Sequence, residues 1–107
     1  METDSSSYGL GAILMQKYPT GWYPVQFISR TLNAAEKNYS NIEREALAVL
    51  FACERFKHFL LGSHFILRSD HKPLKRFFNS HSGMPSTCSA RIQRWILRLS
   101  CFQFTFE

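Results

Sequence analysis

Ser40-Asn41-Ile42-Glu43-Arg44-Glu45-Ala46-Leu47-Ala48-Val49-Leu50-Phe51-Ala52-Cys53-Glu54-Arg55-Phe56-Lys57-His58-Phe59-Leu60-Leu61-Gly62 is the stretch on which the fold turns. Ser40 with Glu43 three residues later makes a capping box, in which hydroxyl and carboxylate each satisfy a free amide of the first turn. Gly62 tolerates the positive φ that ends a helix. From Asn41 to Leu61 the helix spans about 31 Å at 1.5 Å per residue. With about 100° between residues, Ile42, Ala46, Val49, Cys53, Phe56 and Leu60 share one apolar stripe. Glu43, Glu54, Arg44 and Arg55 point away from it. Glu45 lies on the flank of the stripe, beside Val49, Ala52 and Phe56, where desolvating a carboxylate is costly. Either that edge is wet, or Glu45 faces a metal held between this helix and a sheet.

Outward from the helix the chain alternates strands and helices. Upstream, Tyr8–Gln16 and Trp22–Arg30 read as two strands joined by the Pro19-Thr20-Gly21 turn, a hairpin. Pro24 marks the second as an edge strand. Gly9 and Gly11 suit a bulge, or the close approach of another backbone or of nucleic acid. Asn33 caps a short helical turn over Ala34–Asn38. Downstream, His64–Asp70 is a compact apolar strand. Strand, helix, strand is the order of a right-handed crossover between parallel strands. A short helix follows at Leu74–Phe78, then a loop from Asn79 to Thr87 and a helix from Ser89 through Cys101. Phe102-Gln103-Phe104-Thr105-Phe106-Glu107 alternates with period two, as a half-buried strand does. The whole is an α/β layer with a mixed sheet of about five strands and helices packed on it.

The 107 residues are 45% hydrophobic and 15% aromatic, the size and composition of one folded domain. A net charge of +5 favours a polyanionic partner. Three cysteines without a CxxC pair point to a reducing compartment rather than to a disulfide framework or a zinc site. There is no run of 18 apolar residues, and hence no membrane span in the sequence pattern.

Three acids stand out by position. Asp4 falls where a first strand belongs, Glu45 on the inner flank of the helix, and Asp70 at the end of the following strand. Each alone also reads as a turn residue, a cap or a wet edge. Together, three carboxylates without basic partners repel one another unless hard divalent cations such as Mg²⁺ or Mn²⁺ neutralise them. Two such ions about 4 Å apart support in-line hydrolysis of a phosphodiester.

Thr3-Asp4-Ser5-Ser6, Tyr8-Gly9-Leu10-Gly11-Ala12, Phe27–Asn33, Glu36-Lys37-Asn38-Tyr39-Ser40, Ile42–Ala48 and Ser69-Asp70-His71-Lys72-Pro73-Leu74 occur in an order that resembles the RNase H domain of gypsy-class LTR retrotransposon reverse transcriptases. Arg91–Trp95 and the closing strand fit the same family, so the resemblance covers nearly the whole chain, residues 1–107 as one RNase H-like domain. It implies an RNase H-like fold and hydrolysis of the RNA strand of an RNA–DNA hybrid with two Mg²⁺, Mn²⁺ being an alternative. Asp4, Glu45 and Asp70 match the catalytic, metal-binding carboxylates, with Glu43 the rival to Glu45. The partners implied are the hybrid and the reverse transcriptase polymerase domain of a parent polyprotein. The setting implied is intracellular, in cytoplasmic virus-like particles or the nucleus. The family places a further metal-binding Asp in a helix after the last strand; here that helix is missing, and only three residues precede Asp4. The expectation is a weakened metal site, poor activity in isolation and self-association through exposed apolar surface.

Lys72, Lys75 and Arg76, and the Arg91, Arg94, Arg98 face of the last helix, are candidates to track phosphates, or ordinary solvated faces. His71 and His81 are candidate proton carriers or exposed loop residues. The aromatic residues are expected mostly in the core. A catalytically weak or inactive module of the same fold, gripping nucleic acid or protein, is the competing reading.

Overall fold

A computed structural model describes residues 1–70, Leu74 and 89–107. Strand β1 (Glu2–Ser5) is followed by β2 (Gly9–Tyr18), β3 (Gly21–Thr31), a 3-10 turn (Glu36–Asn38), helices α1 (Asn41–Arg55) and α2 (Lys57–Leu60), β4 (His64–Ser69), α3 (Ala90–Leu99) and β5 (Gln103–Phe106). The five strands form one sheet in the order β3-β2-β1-β4-β5. β1 pairs antiparallel with β2, while β1 with β4 and β4 with β5 are parallel, so the sheet is mixed, as expected. The expected short helix at Leu74–Phe78 and the loop at Asn79–Thr87 lie outside the described residues, apart from Leu74, which is helical and fully buried.

The capping box forms: Ser40 Oγ accepts from the Glu43 amide, and Glu43 Oε1 accepts from the Ser40 amide at 3.2 Å. The 21-residue helix read from the sequence is interrupted at Phe56, whose φ of −95° and ψ of 16° leave the helical region. The break contains neither Pro nor Gly, and Phe56 and Leu60 remain in the core on either side of it. Gly62 follows with φ 81°, the left-handed residue anticipated at this end. Burial on α1 is wider than one stripe: every residue from Ala46 to Cys53 is buried. The cause is that α1 packs on β1 and β2 and is also covered by α3, whose Ile92, Trp95 and Leu99 are buried.

α3 is capped by Ser89, which accepts from the Ile92 amide, and stops at Leu99 rather than Cys101. There the Phe102 amide turns back to the Leu99 carbonyl at 3.0 Å, and the buried Phe102 leads into β5. The Asn33 cap is reciprocal: Asn33 Oδ1 accepts from the Glu36 amide and Glu36 Oε1 from the Asn33 amide, each at 2.9 Å.

β3 is an edge strand, as Pro24 suggested. The irregularity of the hairpin sits at Pro24 itself: Leu14 faces Gln26 while Met15 faces Pro24, leaving Val25 as the extra residue. Of the two roles open to the glycines, Gly9 takes the close approach of another backbone. A Cβ on Gly9 would stand 2.8 Å from the Arg30 carbonyl oxygen of β3, whereas one on Gly11 would meet ordinary contacts at 3.9 Å. Gly9→Ala is therefore expected to destabilise the domain by about 1–3 kcal/mol, and Gly11→Ala to be near neutral. Midpoints of urea unfolding for the two variants check this contrast.

Among the described residues six large aromatic side chains are open to solvent rather than in the core: Tyr8, Tyr18, Trp22, Tyr23, Phe27 and Phe59 are 37–76% exposed. Most sit on the first hairpin, where β2 and β3 run beyond the short β1 and no described helix covers them. Among the described residues no helix is long and apolar enough to cross a membrane.

Candidate active site

The parallel pairing of β1 with β4 sets Glu2 opposite Arg68 and Thr3 opposite Ser69. The next residue in each case is an acid, Asp4 within β1 and Asp70 just past the end of β4, so the crossover brings both to the same end of the strands in the middle of the sheet. Both are exposed and line one cavity of about 970 Å³, together with Tyr8, Phe27, Ser29 and Arg30. Arg68 and Glu107 border it further along, with Arg68 Nε 3.7 Å from the Glu107 carboxylate.

Successive side chains of a strand point to opposite faces. Thr3 is buried and Ser5 meets α1, so Asp4 between them points to the face away from that helix. The Asp4 carboxylate accepts the Ser5 amide at 2.9 Å. Glu45 is half-buried on α1, as its place on the flank of the stripe implied, and its Oε1 accepts the Ser5 hydroxyl at 2.6 Å. Glu45 does not line the cavity that holds the two aspartates.

Glu43 was expected to point away from the core. α3 meets it there. Arg91 Nη1 donates to Glu43 Oε2 at 2.7 Å, and the Arg91 guanidinium lies 4.1 Å from the centre of the Tyr39 ring. Burial pushes the Glu43 carboxyl up, but Arg91 and the Ser40 amide and hydroxyl outweigh it and hold the group below its ordinary value. Arg98 likewise pairs with Glu54 of α1. The basic face read from Arg91, Arg94 and Arg98 is thus not three free cations. Two are taken by glutamates of the neighbouring helix, because the i, i+7 pair faces α1, and Arg94 is exposed. Lys72, Lys75, Arg76, His71 and His81 lie outside the described residues.

Asp4, Glu45 and Asp70 offer only hard oxygen donors, which suit Mg²⁺ or Mn²⁺ in chemistry. Their placement does not complete a site: among the described residues no three Asp, Glu, His or Cys side chains stand close enough to hold a metal ion. Asp4 and Asp70 share the cavity, while Glu45 is engaged with Ser5. Ser5 contacts two of the three carboxylates, a role absent from the sequence reading. The available signal was strand alternation, which turns the residue after Asp4 toward the helix. Ser6 does serve the turn, its Oγ accepting the amides of Tyr8 and Gly9 at 3.1 and 3.2 Å.

Known proteins share this fold. The chain is 43% identical over 107 residues to the Retrovirus-related Pol polyprotein from transposon 297 of Drosophila melanogaster, covering 100% of this chain and 9% of that polyprotein. It therefore spans less than a tenth of that relative. Its fold is similar to that of a foamy viral protease-reverse transcriptase in complex with RNA/DNA hybrid, with a TM-score of 0.69, 15% identity, and coverage of 98% of this chain and 14% of the viral one. It is also similar to RNase H1 from the halophilic archaeon Halobacterium salinarum NRC-1, with a TM-score of 0.63, 16% identity, and coverage of 100% of this chain and 86% of the archaeal one. The model of the RNase H-like domain found in reverse transcriptase matches residues 1–102. By that match and the identity to a retroelement polyprotein, the chain belongs to the family of RNase H-like domains found in reverse transcriptase.

Proposed function

We propose that this domain hydrolyses the RNA strand of an RNA–DNA hybrid during reverse transcription, as the nuclease part of a longer polyprotein whose polymerase domain makes the hybrid. The observation that carries the reading is the pairing of β1 with β4, which sets Asp4 beside Asp70 at one cavity mouth while Glu45 stands one hydrogen bond away on Ser5. Asp4, Glu45 and Asp70 are the residues that would hold Mg²⁺ or Mn²⁺. When bound, the cations would supply charge neutralisation at the phosphodiester and a readied water.

The protein's own part is placement. β1 holds Asp4 and the end of the neighbouring β4 leads into Asp70, while the α1–α3 pairing of Glu43 with Arg91 fixes the first turn of α1, just before Glu45. The net charge of +5 supports a polyanionic partner, and one relative in fold was solved with an RNA/DNA hybrid. Arg94, Lys72, Lys75 and Arg76 are the proposed phosphate contacts, with Arg91 and Arg98 secondary because of their glutamate partners. The site of action proposed is intracellular, in cytoplasmic particles or the nucleus. Self-association of the isolated domain is proposed from its exposed Tyr23, Val25 and Phe27.

A second reading, binding without cleavage, is favoured by the lack of a three-carboxylate group among the described residues. A labelled hybrid incubated with the protein in Mg²⁺ or Mn²⁺ separates the two. RNA-strand cleavage that disappears in Asp70→Asn supports the nuclease. Salt-sensitive binding with no cleavage, unchanged by Asp70→Asn, supports the binder.

A further inference from the structure

We infer that Tyr8 is a positioning residue that tells ribose from deoxyribose in the bound duplex: its ring lies along the sugar edge of the RNA strand and its hydroxyl bonds to a 2′-hydroxyl. The inference rests on the reading of the domain as one that acts on an RNA–DNA hybrid at the cavity of Asp4 and Asp70, and it uses no bound cation.

The Tyr8 side chain is 76% exposed, the most open of the large apolar residues described. Its backbone is fixed. The Tyr8 amide donates to Ser6 Oγ at 3.1 Å, its carbonyl accepts the Leu32 amide at 2.8 Å, and the Ser6 amide closes the turn on the Gly9 carbonyl at 2.9 Å. Among the described residues no hydrogen bond, ring or cation engages the side chain. A rigid support under a free side chain with an apolar body and a polar tip suits a contact to a ligand. Tyr8 lines the cavity that holds Asp4 and Asp70. Ser5 pairs with Leu10, so Ser7 and Tyr8 form the tip of the turn, with Ser6 and Gly9 about 7 Å past Asp4 at 3.4 Å per residue. A phosphate at the aspartates thus brings neighbouring sugars of its strand to the tip. The bases of a duplex are stacked inside, and the RNA strand presents its 2′-hydroxyls along a wide, shallow minor groove. Each is a donor and an acceptor, as a phenol is, and a DNA strand lacks them. Gly11 leaves the approach clear. It pairs with Asp4, and cross-strand partners share a face. No side chain stands there, although a Cβ would meet only ordinary contacts at 3.9 Å.

The test is the affinity for two labelled duplexes, read by fluorescence anisotropy at low salt in EDTA so that nothing is cut. One is an RNA–DNA hybrid; the other is the same hybrid with fluorine in place of every 2′-hydroxyl of the RNA strand. The wild type is expected to prefer the first. Tyr8→Phe keeps the ring and loses the hydroxyl, and is expected to shrink that preference about fivefold, the weight of one neutral hydrogen bond, with the urea midpoint unchanged. Tyr8→Ala also loses the ring and is expected to weaken binding to both duplexes. A wild type without preference, a Tyr8→Phe that keeps the whole of it, or undiminished binding by Tyr8→Ala overturns the role of Tyr8 and leaves the hybrid reading standing. No binding of either duplex by the wild type overturns the hybrid reading and the role of Tyr8 with it.

Discussion

Glu45→Gln is expected to lower hybrid cleavage about 10³-fold, while Glu43→Gln leaves the cleavage rate within about threefold. The two acids lie two residues apart on the first turns of α1, and the helical face and the Glu-Ala-Leu-Ala context select Glu45 over its rival Glu43. Their surroundings separate them. Glu43 is consumed by structure: it closes the capping box with Ser40 and pairs with Arg91 at 2.7 Å, a use that leaves its carboxylate fully engaged. Glu45, about 200° further round the helix, faces β1 and reaches Ser5, the residue beside Asp4. A glutamine keeps its shape and removes the charge, and a cation ligand is worth several kcal/mol of charge stabilisation at the reacting phosphate. About 4 kcal/mol corresponds to the 10³-fold expected, at 1.36 kcal/mol per decade. Asp4→Asn and Asp70→Asn are expected to fall by the same order. Glu43→Gln instead costs about 1–3 kcal/mol of stability, since Arg91 and the Ser40 amide lose a charged partner. Single-turnover cleavage read beside thermal unfolding checks both; equal rate losses at the two positions would reverse the assignment.

Arg30→Ala is expected to destabilise the domain by about 3 kcal/mol, the cost of leaving a buried carboxylate without its partner. That is about 10 °C or more in melting temperature for a chain of this size. Arg30 grips Glu36 with two parallel bonds, 2.7 and 2.8 Å, and the Glu36 side chain is only 10% exposed. The same guanidinium lies 5.5 Å from the centre of the Phe51 ring, which Arg55 covers from 5.7 Å. One side chain thus ties the end of β3 to the 3-10 turn and to α1. The pair also sets an acid limit. Hydrogen bonding from Arg30, opposed by burial and helped by the Asn33 amide, holds Glu36 below its ordinary value of 4.5. A carboxylate depressed in the folded state stabilises it fully above that value, and the contribution disappears as the pH falls through the folded pKa. Urea midpoints measured from pH 7 down to pH 3 are expected to decline below about pH 4.5 in the wild type. In Arg30→Ala the carboxylate has lost its main cause of depression, so that acid-side decline is expected to shrink. An unchanged pH profile in the variant would show that Glu36 is not the group responsible.

The boundary between what was legible in the residues and what was not follows the range of the interactions. Ser40 with Glu43, Asn33 with Glu36, Ser89 with Ile92 and the positive φ at Gly62 are contacts within four residues or a single backbone preference, and each was readable from local pattern. Period-two and period-3.6 spacing likewise predicted strands, helices and the crossover, and with them the meeting of Asp4 and Asp70. Phe56 interrupts a pattern that is helical throughout, so nothing in the spacing announced the break. The partners of Arg91 and Arg98 lie 48 and 44 residues away on α1, and no periodicity on α3 alone could show that two of the three arginines of its basic face are spent on glutamates.

The sequence by itself determined an RNase H-like α/β domain, its mixed sheet, and the three carboxylates that carry the proposed chemistry, because capping, alternation and motif order are local properties of the chain. Only the tertiary structure decided how those carboxylates are used. Strand alternation turns Asp4 to one face and Ser5 to the other, and helix packing then delivers Glu45 to Ser5 instead of to the aspartates. The state of the site is therefore set by which surfaces meet across 40 residues of chain, and a hydrogen bond at that distance leaves no trace in the spacing of the residues that make it.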